Sequence, residues 1–227
     1  MTHLKRLSMP EMWPLPKKQK TFVVMPMPGP HSKLKCIPLQ IIVRDVLKFA
    51  GSGKEAKGII KSGKILIDKK PRKETRFPVG LMDVIEIPDI SHYYRVGVNK
   101  KGLFINSISS QDAGKKLCRI QGKNVIKGGT TQLHLHDGRN MFVEKGKEYS
   151  PGDSVLIQIP EQKIIKIYKL SKGSHAIIFA GRNKGVSGVI KEIRDRKTML
   201  GKNSIIIKTK DGKEIETLKD YVMVGEV

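Results

Sequence analysis

Read from its residues alone, this chain is an α+β protein that is mostly β. Three observations carry that expectation. Seven of the twelve prolines fall in residues 1–38, which shows little periodicity and is too proline-broken for helix or sheet interior at Trp13–Pro16 and Met25–His31. Helical periodicity is confined to residues 39–63, and beyond about Tyr94 short alternating runs punctuated by glycine replace it. The expected organisation has four parts: an extended, proline-rich basic arm (1–38), a small helix–helix–sheet module (39–94), a central β-rich domain (95–171) and a C-terminal module of five short strands (172–227).

The arm holds Trp13-Pro14-Leu15-Pro16 and the run Met25–His31, with Lys5, Arg6, Lys17, Lys18 and Lys20 interleaved. It reads as a segment that orders on a partner, its cations set against phosphate. A floppy linker would leave Trp13 and Phe22 exposed; Trp13 would pack on the body of the protein or stack on a base. From Leu39 to Ala50, Ile42, Val46, Leu47 and Phe49 recur at helical spacing. Ser52 then stands as an N-cap with Glu55 three residues on, a capping box. The short helix that follows has Ala56, Ile59 and Ile60 on its apolar face and ends at Gly63, with Lys54, Lys57 and Lys61 on the opposite face. Lys64–Lys70 reads as a strand entering a basic turn, and Asp83–Ile87 as a second strand.

Further along, Gln132–His136 and Asn140–Val143 flank Asp137-Gly138-Arg139, a hairpin signal. Val155–Ile159 and Lys163–Leu170 read as strands. The C-terminal module offers His175–Ala180, Ser187–Ile193, Asn203–Thr209, Glu214–Thr217 and Tyr221–Val224, with a tight turn at Asp211-Gly212. So many short strands in so short a stretch suggest a small closed barrel.

Charge bounds the function. Lys and Arg number 44 against 21 Asp and Glu, a net charge of +23. Cut at residues 38, 100 and 171, the pieces hold 7 basic residues against 1 acidic, 13 against 7, 12 against 6 and 12 against 7. The excess is therefore even along the chain, as it would be in a protein that lies along a polyanion over its whole length. Solubility alone asks for a net charge of about 2–8 in a small domain. Cys36 and Cys118 have no neighbouring cysteine, so neither a zinc ribbon nor a disulfide framework is expected. No apolar run reaches the length of a membrane span, and no signal peptide is readable.

Catalytic motifs fail on spacing. Gly51-Ser52-Gly53-Lys54 lacks the early glycine of a P-loop, where Lys48 stands, and the Ser or Thr after the lysine, where Glu55 stands. His134 and His136 share one face of a strand beside Asp137, which is one ligand short of a metal site. No nucleophile–base arrangement is visible. No catalytic residue, metal, cofactor or small-molecule substrate is expected.

Three segments carry a specific resemblance. Ser52–Ile65 (Ser-Gly-Lys-Glu-Ala-Lys-Gly-Ile-Ile-Lys-Ser-Gly-Lys-Ile) resembles the core of the S-four RNA-binding domain. By that resemblance Lys57 and Lys61 take phosphate-contacting helix positions, while Lys69, Lys70 and Arg72 form the basic turn. Gly53 stands where that family usually carries arginine, with Lys54 beside it. Ala176–Ile190 is similar to the KOW motif, a strand–loop–strand with a fixed late glycine, here Gly188, inside an SH3-like barrel. Gly181 and Gly185 shape its loop, and Arg182, Asn183 and Lys184 supply donors.

His3–Leu7, Pro10, Trp13, Pro28-Gly29-Pro30-His31, Cys36–Leu39, Gly80–Ile85, His136–Arg139 and Gly181–Asn183 follow one another in the order seen in a single family. The chain resembles the archaeal and eukaryotic small-subunit ribosomal proteins of the S-four-e family, over essentially its whole length, with the compact C-terminus of the archaeal form. The resemblance implies a cytoplasmic structural constituent of the small ribosomal subunit that binds ribosomal RNA and stabilises its fold during assembly and translation. Neighbouring small-subunit proteins would be its other partners, and Arg139 in its turn a further RNA contact. Two rivals differ in class. An RNA-modifying enzyme would need a catalytic domain for which the middle of the chain is too short; a transcription or rescue factor would lack the ordered arm motifs.

Overall fold

The computed structural model describes residues 3–126, 128–144, 146–195 and 203–225; the extreme ends of the expected arm and C-terminal module, 1–2 and 226–227, lie outside them. Strands predominate, and the chain divides into two compact units. The first is Met1–Lys116 with Ile159–Glu161; the second is Leu117–Gln158 with Gln162–Val227.

The first unit begins with the arm, expected as an extended segment that orders on a partner; here it is paired and packed within the chain itself. Strand β1 (His3–Lys5) pairs antiparallel with β2 (Phe22–Val24). Trp13 is buried, its indole N–H donating to the Cys36 carbonyl at 2.6 Å. The amide of Leu103 donates to the Met12 carbonyl, and Arg76 Nε to that of Met25. Along 13–16 and 25–31 the prolines remove helix and sheet as ways to satisfy the backbone, and the body of the unit supplies partners to the neighbouring segments. Burying an indole calls for such a partner for its N–H, which settles Trp13 as a packing residue.

Strand β3 (Cys36–Pro38) follows, then α1 (Leu39–Ile41), whose helix runs on through Ile42–Val46 with wider hydrogen bonds such as Leu47 N to the Ile42 carbonyl. The helix expected to Ala50 stops short, and Lys48 takes a left-handed conformation (φ 58°). Helix α2 (Gly53–Lys61) starts as the capping residues require: Ser52 Oγ accepts from Glu55 N at 3.1 Å. The Glu55 carboxylate reaches back one residue further than a simple capping box, to Gly51 N at 2.8 Å.

Strands β4 (Leu66–Ile67) and β5 (Lys70–Pro71) flank a two-residue turn in which Asp68 and Lys69 both have positive φ. That is the geometry a right-twisted hairpin favours. Strand β6 (Pro78–Gly80) pairs with β3. Strands β7 (Val84–Ile87), β8 (His92–Asn99) and β9 (Gly102–Ser107) complete a sheet in the order β5-β4-β7-β8-β9, and the boundary expected at residue 94 falls inside β8. Ile37, Leu39, Ile41, Ile60, Ile67 and Ile85 are buried in this unit.

The second unit contains two sheets. Strands β10 (Lys115–Val125), β11 (Thr131–Leu135), β12 (Asn140–Val143), β13 (Ser154–Gln158) and β14 (Lys163–Tyr168) are ordered β12-β11-β10-β13-β14. Gly138 (φ 75°) makes the expected hairpin turn between β11 and β12. The other sheet holds β15 (His175–Ile178), β16 (Ser187–Arg194), β17 (Ser204–Thr209), β18 (Glu214–Leu218) and β19 (Val222–Val224), within a residue or two of the expected strands. Its order is β18-β17-β16-β15-β19, around a core of Ala176, Ile178, Ile190, Ile205, Ile207, Val222 and Val224. Among the described residues this ladder is a run of five strands, with no pairing between β18 and β19.

Candidate nucleic-acid interface

Helix α2 is held by Ala56 and Ile60, both fully buried, and Ile59 beside them is half-buried. That fixes the rotation of the helix and turns Lys54, Lys57 and Lys61 outward, all exposed. None of the three forms an ion pair among the described residues. Elsewhere lysines do: Lys64 with Asp89 at 2.6 Å and Lys191 with Glu214 at 2.6 Å. An unpaired cationic face on a short, capped helix is what a phosphate backbone meets at least cost, because no internal partner is displaced.

The basic turn beside it is divided. Lys70 is exposed. Lys69 is committed to Glu86, a carboxylate with a buried side chain, at 2.9 Å. Arg72 is half-buried with its guanidinium 4.4 Å from the centre of the Phe77 ring. On the arm, Lys5, Lys17, Lys18 and Lys20 are exposed. Arg6 is not: it is 3 % exposed and its Nε donates to the Pro16 carbonyl at 2.7 Å. That bond ties Arg6 to the arm's own backbone. Arg139 is drawn in the same way to its neighbour Asp137, Nε to Oδ2 at 3.2 Å.

Between β15 and β16 the loop carries Arg182, exposed, with Asn183 and Lys184 half-buried. Gly181 and Gly185, each at φ 82°, bend it where a side chain would be strained. Gly188 answers a different need: a Cβ there would lie 2.3 Å from the Lys208 carbonyl oxygen on β17. Gly63 closes α2 in the left-handed conformation (φ 78°), and Ser52 opens it.

The two histidines beside Asp137 part company. His134 bonds the Asn140 side-chain oxygen at 2.7 Å, whereas His136 Nδ1 accepts from Arg119 N at 3.2 Å. His136 does lie with Cys118 and Asp137 in one cluster. Its groups are already used: the Cys118 thiol bonds Asp137, and Asp137 also holds the Arg139 guanidinium and backbone amide. A guanidinium on the one carboxylate opposes a cation there, and the cluster works as the scaffold of the β11–β12 turn.

The first unit also holds a buried ionic cluster that residue spacing does not reveal. Lys116 is fully buried, its Nζ 2.7 Å from Asp68 and 2.6 Å from Asp83. His31 Nε2 reaches the other Asp83 oxygen at 3.0 Å. Burial alone would push the Asp83 carboxyl up; the charges of Lys116 and His31 and the Gly80 N–H outweigh it and hold the carboxyl well below the usual range. Burial, with the Asp83 charge, pushes the Cys36 thiol up to about 12, so it stays protonated and unreactive. The available signal was that His31 and Asp83 each sit in a short family-like motif.

The description "Ribosomal family S4e" matches residues 90–164, the RS4NT domain residues 2–34, and the S4 domain residues 37–85. The small ribosomal subunit protein eS4 of Methanothermobacter thermautotrophicus is 45% identical over 223 residues, spanning 98% of this chain and 91% of that protein. That of Methanococcus vannielii is 44% identical over 229 residues, at 98% and 93%. The crystal structure of the 30S ribosomal protein S4e from Thermoplasma acidophilum superposes with a TM-score of 0.72 at 31% identity, covering 84% of this chain and 94% of that one.

Proposed function

Because the chain belongs to the S4e family of small-subunit ribosomal proteins, we propose that it binds ribosomal RNA and stabilises its fold during assembly and translation. The family is structural and not enzymatic. The observation that carries the reading is the outer face of α2, where Lys54, Lys57 and Lys61 stand exposed and unpaired. They face an RNA backbone, and recognition there is by shape, since an A-form helix hides its base edges in a narrow groove.

Lys70 extends that contact. Lys5, Lys17, Lys18 and Lys20 give a second one from the arm, and Arg182, Asn183 and Lys184 a third. Strands β15–β19 are read as an SH3-like KOW barrel presenting that third loop. Neighbouring small-subunit proteins complete the environment, in the cytoplasm.

The test is the salt dependence of binding to small-subunit ribosomal RNA. Replacing both Lys57 and Lys61 by alanine should weaken binding and flatten the slope of log affinity against log salt by up to about two. An unchanged slope would remove α2 from the interface.

A further inference from the structure

The ribbon formed by β1 and β2 has two different faces. Its register sets Leu4 opposite Val23, Lys5 opposite Phe22 and His3 opposite Val24. Side chains alternate along each strand, so Leu4 and Val23 share one face and His3, Lys5, Phe22 and Val24 the other. Val23 is buried, which marks the first face as the inner one. On the outer face Phe22 is 51% exposed. Its ring meets that of His3 edge-on, with centroids 4.7 Å apart and planes at 71°. Lys5 stands directly across the ribbon, at the separation of about 4.5–5.5 Å between Cβ atoms that such pairs have.

Charge identifies the occupant. Between His3 and Val24 the exposed cations are Lys5, Lys17, Lys18 and Lys20, and Glu11 is the one acidic residue in that stretch. An exposed ring with Lys5 across the ribbon, on a segment rich in exposed lysine, fits a single nucleic-acid strand, whose bases stack on aromatic faces while its phosphates meet lysine. A duplex offers the ring nothing, because its bases are already stacked on each other. Trp13, the other aromatic residue of the arm, is turned inward and bonded.

We infer that the outer face of this ribbon takes an unpaired RNA base, stacked on Phe22 and framed by His3, with Lys5 on the adjoining phosphate. The inference rests on the reading of the chain as an RNA-binding protein and adds the kind of nucleotide and the ring that receives it.

The test compares two labelled RNAs by fluorescence anisotropy on the whole protein: a single-stranded oligouridylate of about 12 nucleotides and a duplex of the same length. Phe22→Leu keeps an apolar side chain on the ribbon and removes the stacking face. It should weaken single-strand binding about 5- to 150-fold and leave duplex binding unchanged. Phe22→Trp should bind the single strand at least as well as the wild type. Phe22→Leu binding both RNAs like the wild type would overturn the inference and leave the ring to cover a neighbouring protein. An equal loss on both RNAs would overturn it too. Wild-type protein that holds neither RNA would overturn the RNA-binding reading itself, and the inference with it.

Discussion

Lys116 sits fully buried between the carboxylates of Asp68 and Asp83, with His31 of the arm on the far side of Asp83. Breaking one partner out of such a cluster leaves uncompensated buried charge, at about 3–5 kcal/mol. Asp83→Asn should therefore lower the stability of the first unit by that order in urea unfolding. The pH dependence follows from the direction of the shift. A carboxyl held below its ordinary value contributes fully above the unfolded-state value, about 3.9, and that contribution is lost as pH falls below it. Wild-type stability should drop below about pH 4, and Asp83→Asn should flatten part of that drop; an identical acid loss in both would contradict the account. None of this was legible as a network, because periodicity shows which residues are buried and not which buried charges meet. What was legible were the motifs around Pro28–His31 and Gly80–Asp83. They turn out to be one joint: a Cβ at Gly80 would lie 2.3 Å from the His31 ring, so glycine there lets the arm dock.

Helix α2 and the β15–β16 loop show how far local signals reach. The cap, the apolar face and the lysine face of α2 were all readable, since each depends on residues within one or two turns. The five C-terminal strands were readable because alternation and turn glycines are also local. Helix α1 ends before its spacing predicts: Val46, Leu47 and Phe49 keep helical spacing, but the chain leaves the helix through Lys48. Strands β8, β9 and β10 were not anticipated. The segment His92–Asn99 mixes aromatic, charged and glycine residues, and its strand character comes from pairing with β7 and β9. Two glycines should respond in opposite directions. Gly58 lies inside α2 with open space around a Cβ, so Gly58→Ala should stabilise the protein by about 0.5–1 kcal/mol. Gly188→Ala drives a methyl group into the Lys208 carbonyl and should cost about 1–3 kcal/mol. Thermal unfolding checks both; destabilisation by Gly58→Ala, or none by Gly188→Ala, would contradict the packing described.

At the scale of the molecule, a charge of +23 is spread over four nearly equal pieces, but the cations are not equivalent. Lys64, Lys69, Lys116, Arg139 and Lys191 are tied to carboxylates, and Arg6 to a carbonyl. Lys5, Lys17, Lys18, Lys20, Lys54, Lys57, Lys61, Lys70 and Arg182 remain exposed. Composition sets the net charge and does not sort these two groups, because most of the sorting is done by acids distant in sequence, as Glu86 takes Lys69; Arg139, held by Asp137 two residues away, is the local exception among them. The arm behaves alike: its prolines keep residues 13–16 and 25–31 out of helix and sheet, while its packing depends on Arg76 and Leu103, far along the chain. A fixed part of the small ribosomal subunit should co-sediment with it when a cell lysate is spun through a high-salt sucrose gradient. One copy per small subunit, retained through the salt wash, is the expected result. Release of the protein to the top of the gradient would contradict it.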